Sequence, residues 1–379
     1  MTFKVPPFLL LFVSLITATM THAEHPLVFI SAFASGEKAG IHAFQFDAES
    51  GTLQPLHRTA DLQNPFFLAV SRDQRFLYAI NAEKFGDEVD EFVAAYAIEG
   101  RTGQLKRLNE QPARGTASCY LDTDATGKTV VVANYSSGSV AALPVKADGS
   151  LGEAASFMQH SGSGGDPARQ KGPNAHSIVI SPDNRFALAA DLGIDKIMIY
   201  HLDAATAKLT LNEAQPFAKL APGSGPRHLT FHPNGTHLYV INEMANSVVV
   251  FDYSTDTGTL TERQTISTLP ADFTGKSFTA DLKITPDGKF LYGTNRGHDS
   301  IAVYRIASDG TLSLLSIEPS LGKGPQNLLI TPDGQWMLCA NMPGNSVIVF
   351  RIDPQTGGIK PSGDPVAMPM PSCIRLVRE

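Results

Sequence analysis

Three features of the sequence predict an all-β, seven-bladed β-propeller. One strand-and-turn motif occurs seven times, a second turn motif is interleaved with it, and a C-terminal segment repeats the pattern of the inner strands. The first motif is an alternating strand, a polar turn with Gly or Asp, and a closing Leu or Ile. Its copies are residues 41–53, 93–105, 140–151, 197–209, 248–260, 301–312 and 347–359. They recur about every 50 residues, the length of one four-stranded blade, and account for nearly the whole chain.

The second motif reads apolar-x-apolar, a Ser/Thr-Pro-Asp-Gly-like turn, then another strand. Its turns centre on Asp73, Thr126, Asp183, Asn234, Asp287 and Asp333. Pro286, Asp287 and Gly288 show the turn chemistry most clearly, because Pro fixes φ and Gly accepts positive φ. Eight residues after each turn stands Asn81, Asn134, Asp191, Asn242, Asn295 or Asn341. A polar group locked to the repeat phase is expected to cap free backbone where a strand ends.

The seventh inner strand is found at the other end of the chain. Residues 371–377 match the pattern of residues 325–330, while residues 25–33 read as a strand. The C-terminal strand is therefore expected to join the N-terminal strands in one blade, removing the edges a linear array would expose. No long stretch of 3.6-residue periodicity competes with this reading.

Composition narrows the class further. Of 379 residues, 42% are hydrophobic and 18% charged, which suits a large packed core rather than a disordered chain. Lys4, the apolar run Phe8 to Ile16 and the small-residue stretch ending at Ala23 read as a secretory signal over residues 1–23. That run is too short to span the bilayer core, about 30 Å thick. One propeller domain over residues 24–379, exported to the periplasm or beyond and monomeric, is the expectation. The three cysteines, Cys119, Cys339 and Cys373, allow at most one disulfide and lack zinc-site spacing, so they read as small buried hydrophobes. A net charge of −7 without a basic cluster speaks against nucleic acid as a partner.

Candidate functional residues follow from the repeat phase. Seven residues before each turn lie Phe66, Cys119, His176, Arg227, Ala280 and Gln326, and nine after it Ala82, Tyr135, Leu192, Glu243, Arg296 and Met342. Pairing across the hairpins brings these sets to the end of the blades remote from the turns. With Asp281, one step along, the ionisable residues gather there in blades three to five. Each also has a structural reading: Arg227 and Glu243 as a strand-tying ion pair, His176 as a core histidine, Asp281 as a buttress. By strand alternation His228 is expected to face away from Arg227. The turn-side face is expected to hold only turn residues.

Residues 172–183 (GPNAHSIVISPD), 225–235 (GPRHLTFHPNG), 242–251 (NEMANSVVVF) and 279–301 resemble the propeller lactonase family. That family includes bacterial 6-phosphogluconolactonases and fungal 3-carboxy-cis,cis-muconate lactonizing enzymes. The resemblance implies hydrolysis of a small-molecule lactone, without metal or other cofactor. It assigns His176, Arg227 and Glu243 to catalysis and Asp281, Arg296 and Gln326 to substrate binding. Arg227 would stabilise the oxyanion, Glu243 or His176 would move the proton, and Arg296 would hold the far end of the substrate. Gln326 stands where the family commonly has Arg, which, with export, implies a non-phosphorylated sugar or organic-acid lactone. A muconate-type cycloisomerase and an exported, non-enzymatic binding propeller are the alternatives; the latter would show apolar patches on a face rather than a polar pocket.

Overall fold

The computed structural model describes residues 1–3 and 25–378; the signal expected at residues 1–23 lies, beyond its first three residues, outside them. Among the described residues the chain forms seven antiparallel sheets and no α-helix. Blade one runs from Leu68–Val70 to Gln104–Pro112 and blade two from Ser118–Thr123 to Ser156–Gln159. Blade three starts at Ala175–Ile180, blade four at Pro226–Phe231, blade five at Phe278–Ile284 and blade six at Pro325–Ile330. Each of these opening strands packs against its counterpart in the next blade, and the ring of contacts closes on itself.

The seventh sheet has the spatial order Pro371–Val377, Leu27–Ala32, Gly40–Asp47, Thr52–Thr59. The last strand is thus the innermost of a blade whose other three strands come from the start of the chain. Ser31 faces Cys373, and Ile30 faces Ile374.

Blades are held together by alternating apolar faces. Phe290, Tyr292, Ile301 and Val303 of blade five pack with Leu328, Met337, Ile348 and Phe350 of blade six. The turn glycines of the first motif explain part of this fit. Gly357, at φ 74°, leaves room for the Phe290 ring, where a Cβ would come within 2.4 Å of it. Beside it the Tyr292 hydroxyl donates to the Gly357 carbonyl at 2.8 Å. The same hydroxyl-to-glycine bridge joins Tyr78 to Gly149 and Tyr239 to Gly310.

The phase-locked Asn and Asp residues do cap backbone. Asn81 accepts from the Gln63 amide, Asn295 donates to the Thr268 carbonyl, and Asp191 accepts from the amides of Asn174 and Gly193. The three cysteines are buried and unpaired.

One recurrent irregularity positions the functional face. A β-bulge interrupts the innermost hairpin at Cys119, His176, Arg227 and Gln326, so that in blade four Pro226 pairs with Asn242 and His228 with Ile241. In blade five the irregularity covers Ala280 and Asp281. A bulge adds a residue, kinks the strand and redirects its side chain.

Candidate active site

The bulged residues converge at the end of the channel away from the turns. Glu243 is the centre of the cluster. Its Oε2 accepts from Arg227 Nε at 3.1 Å and Arg296 Nη2 at 2.8 Å, and its Oε1 accepts from Arg169 Nη2 at 3.1 Å. His176 Nε2 lies 4.0 Å from the same carboxylate. Gln326 Oε1 accepts a long bond of 3.4 Å from Arg296 Nη1. Glu243, His176, Arg227 and Gln326 are all buried.

Asp281 lies deeper than the rim. Its carboxylate, 1% exposed, accepts from His228 Nδ1 at 2.8 Å, from Asn327 Nδ2 at 2.7 Å and from the Leu328 amide at 2.9 Å. Lys283 Nζ reaches both of its oxygens at 2.8 Å. Every lone-pair direction is engaged, so the geometry makes Asp281 the buttress that strand reasoning left open.

His228 departs from expectation. It does not face away from Arg227: its Nε2 accepts from Arg227 Nη1 at 3.1 Å, because the bulge at Arg227 breaks the two-residue alternation. Since Nε2 accepts, the proton sits on Nδ1 and is donated to Asp281, a chain that fixes both tautomer and ring orientation. Phe67, Tyr120 and His228 pack on one another beneath the rim, with ring centroids 4.2 Å apart for the first pair and 5.0 Å for the second.

Arg169 was invisible to the repeat. It lies in the Gly- and Pro-rich connection between blades two and three, outside the register that located the other residues. Asp195 ties that connection down, accepting from the Gly165 amide at 2.9 Å and from the Gln170 side chain at 2.7 Å. Asp195 also accepts from the amides of Gly223 and Gly225, which lead into the Arg227 strand.

Three guanidiniums surround one carboxylate, which leaves net positive charge at the rim. Burial opposes ionisation of Glu243, but Arg296 and Arg227 outweigh it and hold the carboxyl below its ordinary range. Burial, with Arg296 as a like charge, draws Arg227 down to about 10, still protonated at neutral pH. Burial and the charge of Arg227 push His176 well below 6.5, and the same two causes take His228 to about 3. Both imidazoles are therefore neutral at pH 7.

Two donors or acceptors at the rim remain unused. Arg227 engages its partners through Nε and Nη1, leaving Nη2 free of intramolecular bonds. His176 is approached at Nδ1 by the Cys119 thiol, 3.7 Å away, while its Nε2 makes no hydrogen bond. Both side chains are nearly buried, Arg227 at 1% and His176 at 6% exposure. At the Arg296 edge of the cluster a cavity of about 500 Å³ is lined by Lys276, Phe278, Arg296, Lys323, Gln326 and Met342, while His176, Arg227 and Glu243 do not line it. Of the exposed large apolar residues, Leu56, Phe157, Leu211, Phe217, Leu314 and Leu315 lie on the outer strands, while Val89 and Leu321 lie in loops. Among the described residues no group of three or more His, Cys, Asp or Glu side chains is arranged to hold a metal ion.

The neutral imidazoles have a consequence for acid stability. In the unfolded chain both would take up a proton near pH 6.5, whereas the folded chain resists until far lower pH. Their contribution to stability is thus full above about pH 6.5 and is lost as pH falls toward the folded values. Asp281, held below its ordinary 3.8, adds a loss of the same sign at lower pH. The melting temperature is expected to start falling near pH 6.5, and a Tm flat down to about pH 5 would contradict the arrangement.

The fold and its rim define a propeller with a cationic, carboxylate-centred site at one mouth of its channel. The family described as "Lactonase, 7-bladed beta-propeller" matches residues 27–376, and the chain belongs to it. It is 33% identical over 352 residues to a 6-phosphogluconolactonase of Bacillus subtilis (strain 168), covering 93% of this chain and 98% of the relative. A 6-phosphogluconolactonase of Formosa agariphila is also 33% identical, over 79% of this chain and 85% of that one. Among solved structures, the periplasmic gluconolactonase of Pseudomonas aeruginosa superposes with a TM-score of 0.87 at 31% identity, covering 93% and 99% of the two chains.

Proposed function

We propose that the protein is an exported lactone hydrolase that opens a sugar or organic-acid lactone at the Glu243-centred rim. The observation that carries the mechanism is the pair of unused atoms, Arg227 Nη2 and His176 Nε2, beside a carboxylate occupied by three arginines.

Ring opening requires a nucleophilic water, stabilisation of the carbonyl oxygen as it becomes an oxyanion, and a proton for the leaving ring oxygen. His176 is neutral and presents a free Nε2, so it takes the proton from water as the water oxygen bonds to the carbonyl carbon. Arg227 Nη2 donates to the oxyanion, in a buried site where a fixed cation acts more strongly than in water. When the tetrahedral intermediate collapses, the bond from carbonyl carbon to ring oxygen breaks and His176 returns its proton to that oxygen. The product is the open hydroxy acid. Glu243 has both oxygens engaged by guanidiniums, and its role is to fix Arg169, Arg227 and Arg296 in place. Arg296, bordering the cavity with Gln326, holds the hydroxyl-bearing or anionic end of the substrate.

Export rests on the N-terminal pattern around Lys4, Phe8 to Ile16 and Ala23, and on the likeness to a protein described as periplasmic. Gln326 removes one cation from the subsite, which favours an unphosphorylated lactone. His176→Gln is expected to lower kcat by roughly 10²–10⁴-fold with little change in KM, because the amide fills the site without accepting the proton. Full kcat in that variant would remove His176 from the chemistry.

A further inference from the structure

We propose that the turn-side mouth of the channel is a second ligand site, built for a small oxyanion such as a carboxylate or phosphate. The sequence alone suggested that this face holds only turn residues. Instead, a cavity of about 450 Å³ opens there, lined among others by Arg72, Gln74, Tyr120, Asp122, Arg375 and Arg378.

One of the cations stands where most blades have proline. Arg72 occupies the turn position filled by Pro182, Pro233, Pro286 and Pro332 in other blades. Arg375 occupies the inner-strand position held by Ala69, Asp122, Val179, Thr230, Lys283 and Leu329, so charge recurs there in three of the seven blades. Arg72 thus departs from the turn pattern of its repeat.

Their donors are also unused. The side chains of Arg72 and Arg378 make no hydrogen bond, and none of the three arginines joins an ion pair among the described residues. Arg375 is half-buried; its guanidinium lies 4.6 Å from the centre of the Phe67 ring and bonds only to the neighbouring Ile374 carbonyl, at 2.8 Å. Asp122, the carboxylate in the cavity wall, has its oxygens engaged by the backbone amides of Thr123 at 2.8 Å and Ile180 at 2.9 Å. Among the described residues that line the cavity, three guanidiniums face one carboxylate. For the half-buried Arg375, desolvation without a direct ion-pair partner is unfavourable, and a planar oxyanion meets a guanidinium's fork of donors in two-point geometry.

The site is separate from the rim. Six of the seven inner strands between the two mouths are six or seven residues long, about 20 Å at ~3.3 Å per residue, and Leu68–Val70 has three. The Phe67, Tyr120 and His228 rings pack on one another between them. Binding here is therefore independent of whether the rim hydrolyses lactones.

Calorimetric titration of the purified protein at low ionic strength tests the proposal, with inorganic phosphate and gluconate as separate probes. Saturable binding of at least one probe is expected, weakened at least tenfold in the double variant Arg72→Gln/Arg378→Gln, whose altered side chains are exposed and leave the melting temperature unchanged. Which probe binds separates phosphate from carboxylate recognition. Absence of saturable binding for both would overturn the site. So would binding that the double variant retains, and its loss in Arg296→Gln would then move the anion to the rim.

Discussion

Removing residues 371–379 is expected to abolish folding, although it deletes only the final strand. That strand is the innermost of its blade, and Pro371, Ser372, Cys373 and Ile374 are buried. It pairs along its length with Leu27–Ala32. It also ties the ring shut on both sides. The Ile374 amide donates to Asn327 Oδ1 of blade six at 2.8 Å, and the Ser372 hydroxyl reaches the Pro65 carbonyl at 3.2 Å. Its loss forfeits about 1.5–3 kcal/mol for each large apolar side chain buried and about 1 kcal/mol for each hydrogen bond. Together these rival the whole stability of a typical domain, about 5–15 kcal/mol. The first strand would be left as an open apolar edge, prone to pair with other chains. Insoluble expression, or a soluble product without near-UV circular dichroism, is the expected result. A truncated protein with a cooperative melt and native near-UV spectrum would show that the ring does not depend on this closure.

Replacing Arg227 by alanine is expected to cost both activity and stability. Oxyanion donors of this kind contribute about 10²–10³-fold in kcat. The guanidinium also bonds Glu243, His228 and the Ala280 carbonyl, so its removal disturbs the rim arginines and the His228–Asp281 pair. Breaking a buried charge pair on one side costs about 3–5 kcal/mol, and the melting temperature should fall with it. Arg227→Lys separates charge from geometry: one ammonium cannot replace a planar fork that serves three partners and still leaves a donor free. Kinetics of the lysine variant should therefore resemble those of the alanine variant, with kcat rather than KM carrying the loss. Near-native kcat in Arg227→Lys would reduce the residue to a source of positive charge.

The propeller was legible because its repeat is written in turn chemistry. Pro286-Asp287-Gly288 and its counterparts mark the hairpins, and the match between residues 371–377 and 325–330 reveals the closing strand. The same phase brought His176, Arg227, Glu243, Arg296 and Gln326 to one mouth of the channel, where the structure gathers them. What it could not reveal were departures from the period. The bulge at Arg227 turns His228 inward, and nothing in the composition of that strand announces an extra residue. Asp281 falls in an irregularity of its own and points below the rim, to His228 and Lys283. Arg169 arrives on a connection whose path depends on the buried Asp195, a long-range contact with no local signature. Arg72 was hidden differently: as one residue of a turn it looks ordinary, and only the cavity and Arg375 beside it give it significance.

The most direct test of the central claim is pH-stat titration of the wild-type protein with a panel of glucono-, galactono-, muconolactone and 6-phosphogluconolactone, with and without a chelator. The account predicts acid release above the spontaneous rate for at least one unphosphorylated lactone, one equivalent per ring opened, insensitive to chelator and absent in Arg227→Ala. A flat response across the panel, or turnover that survives in Arg227→Ala, would contradict it.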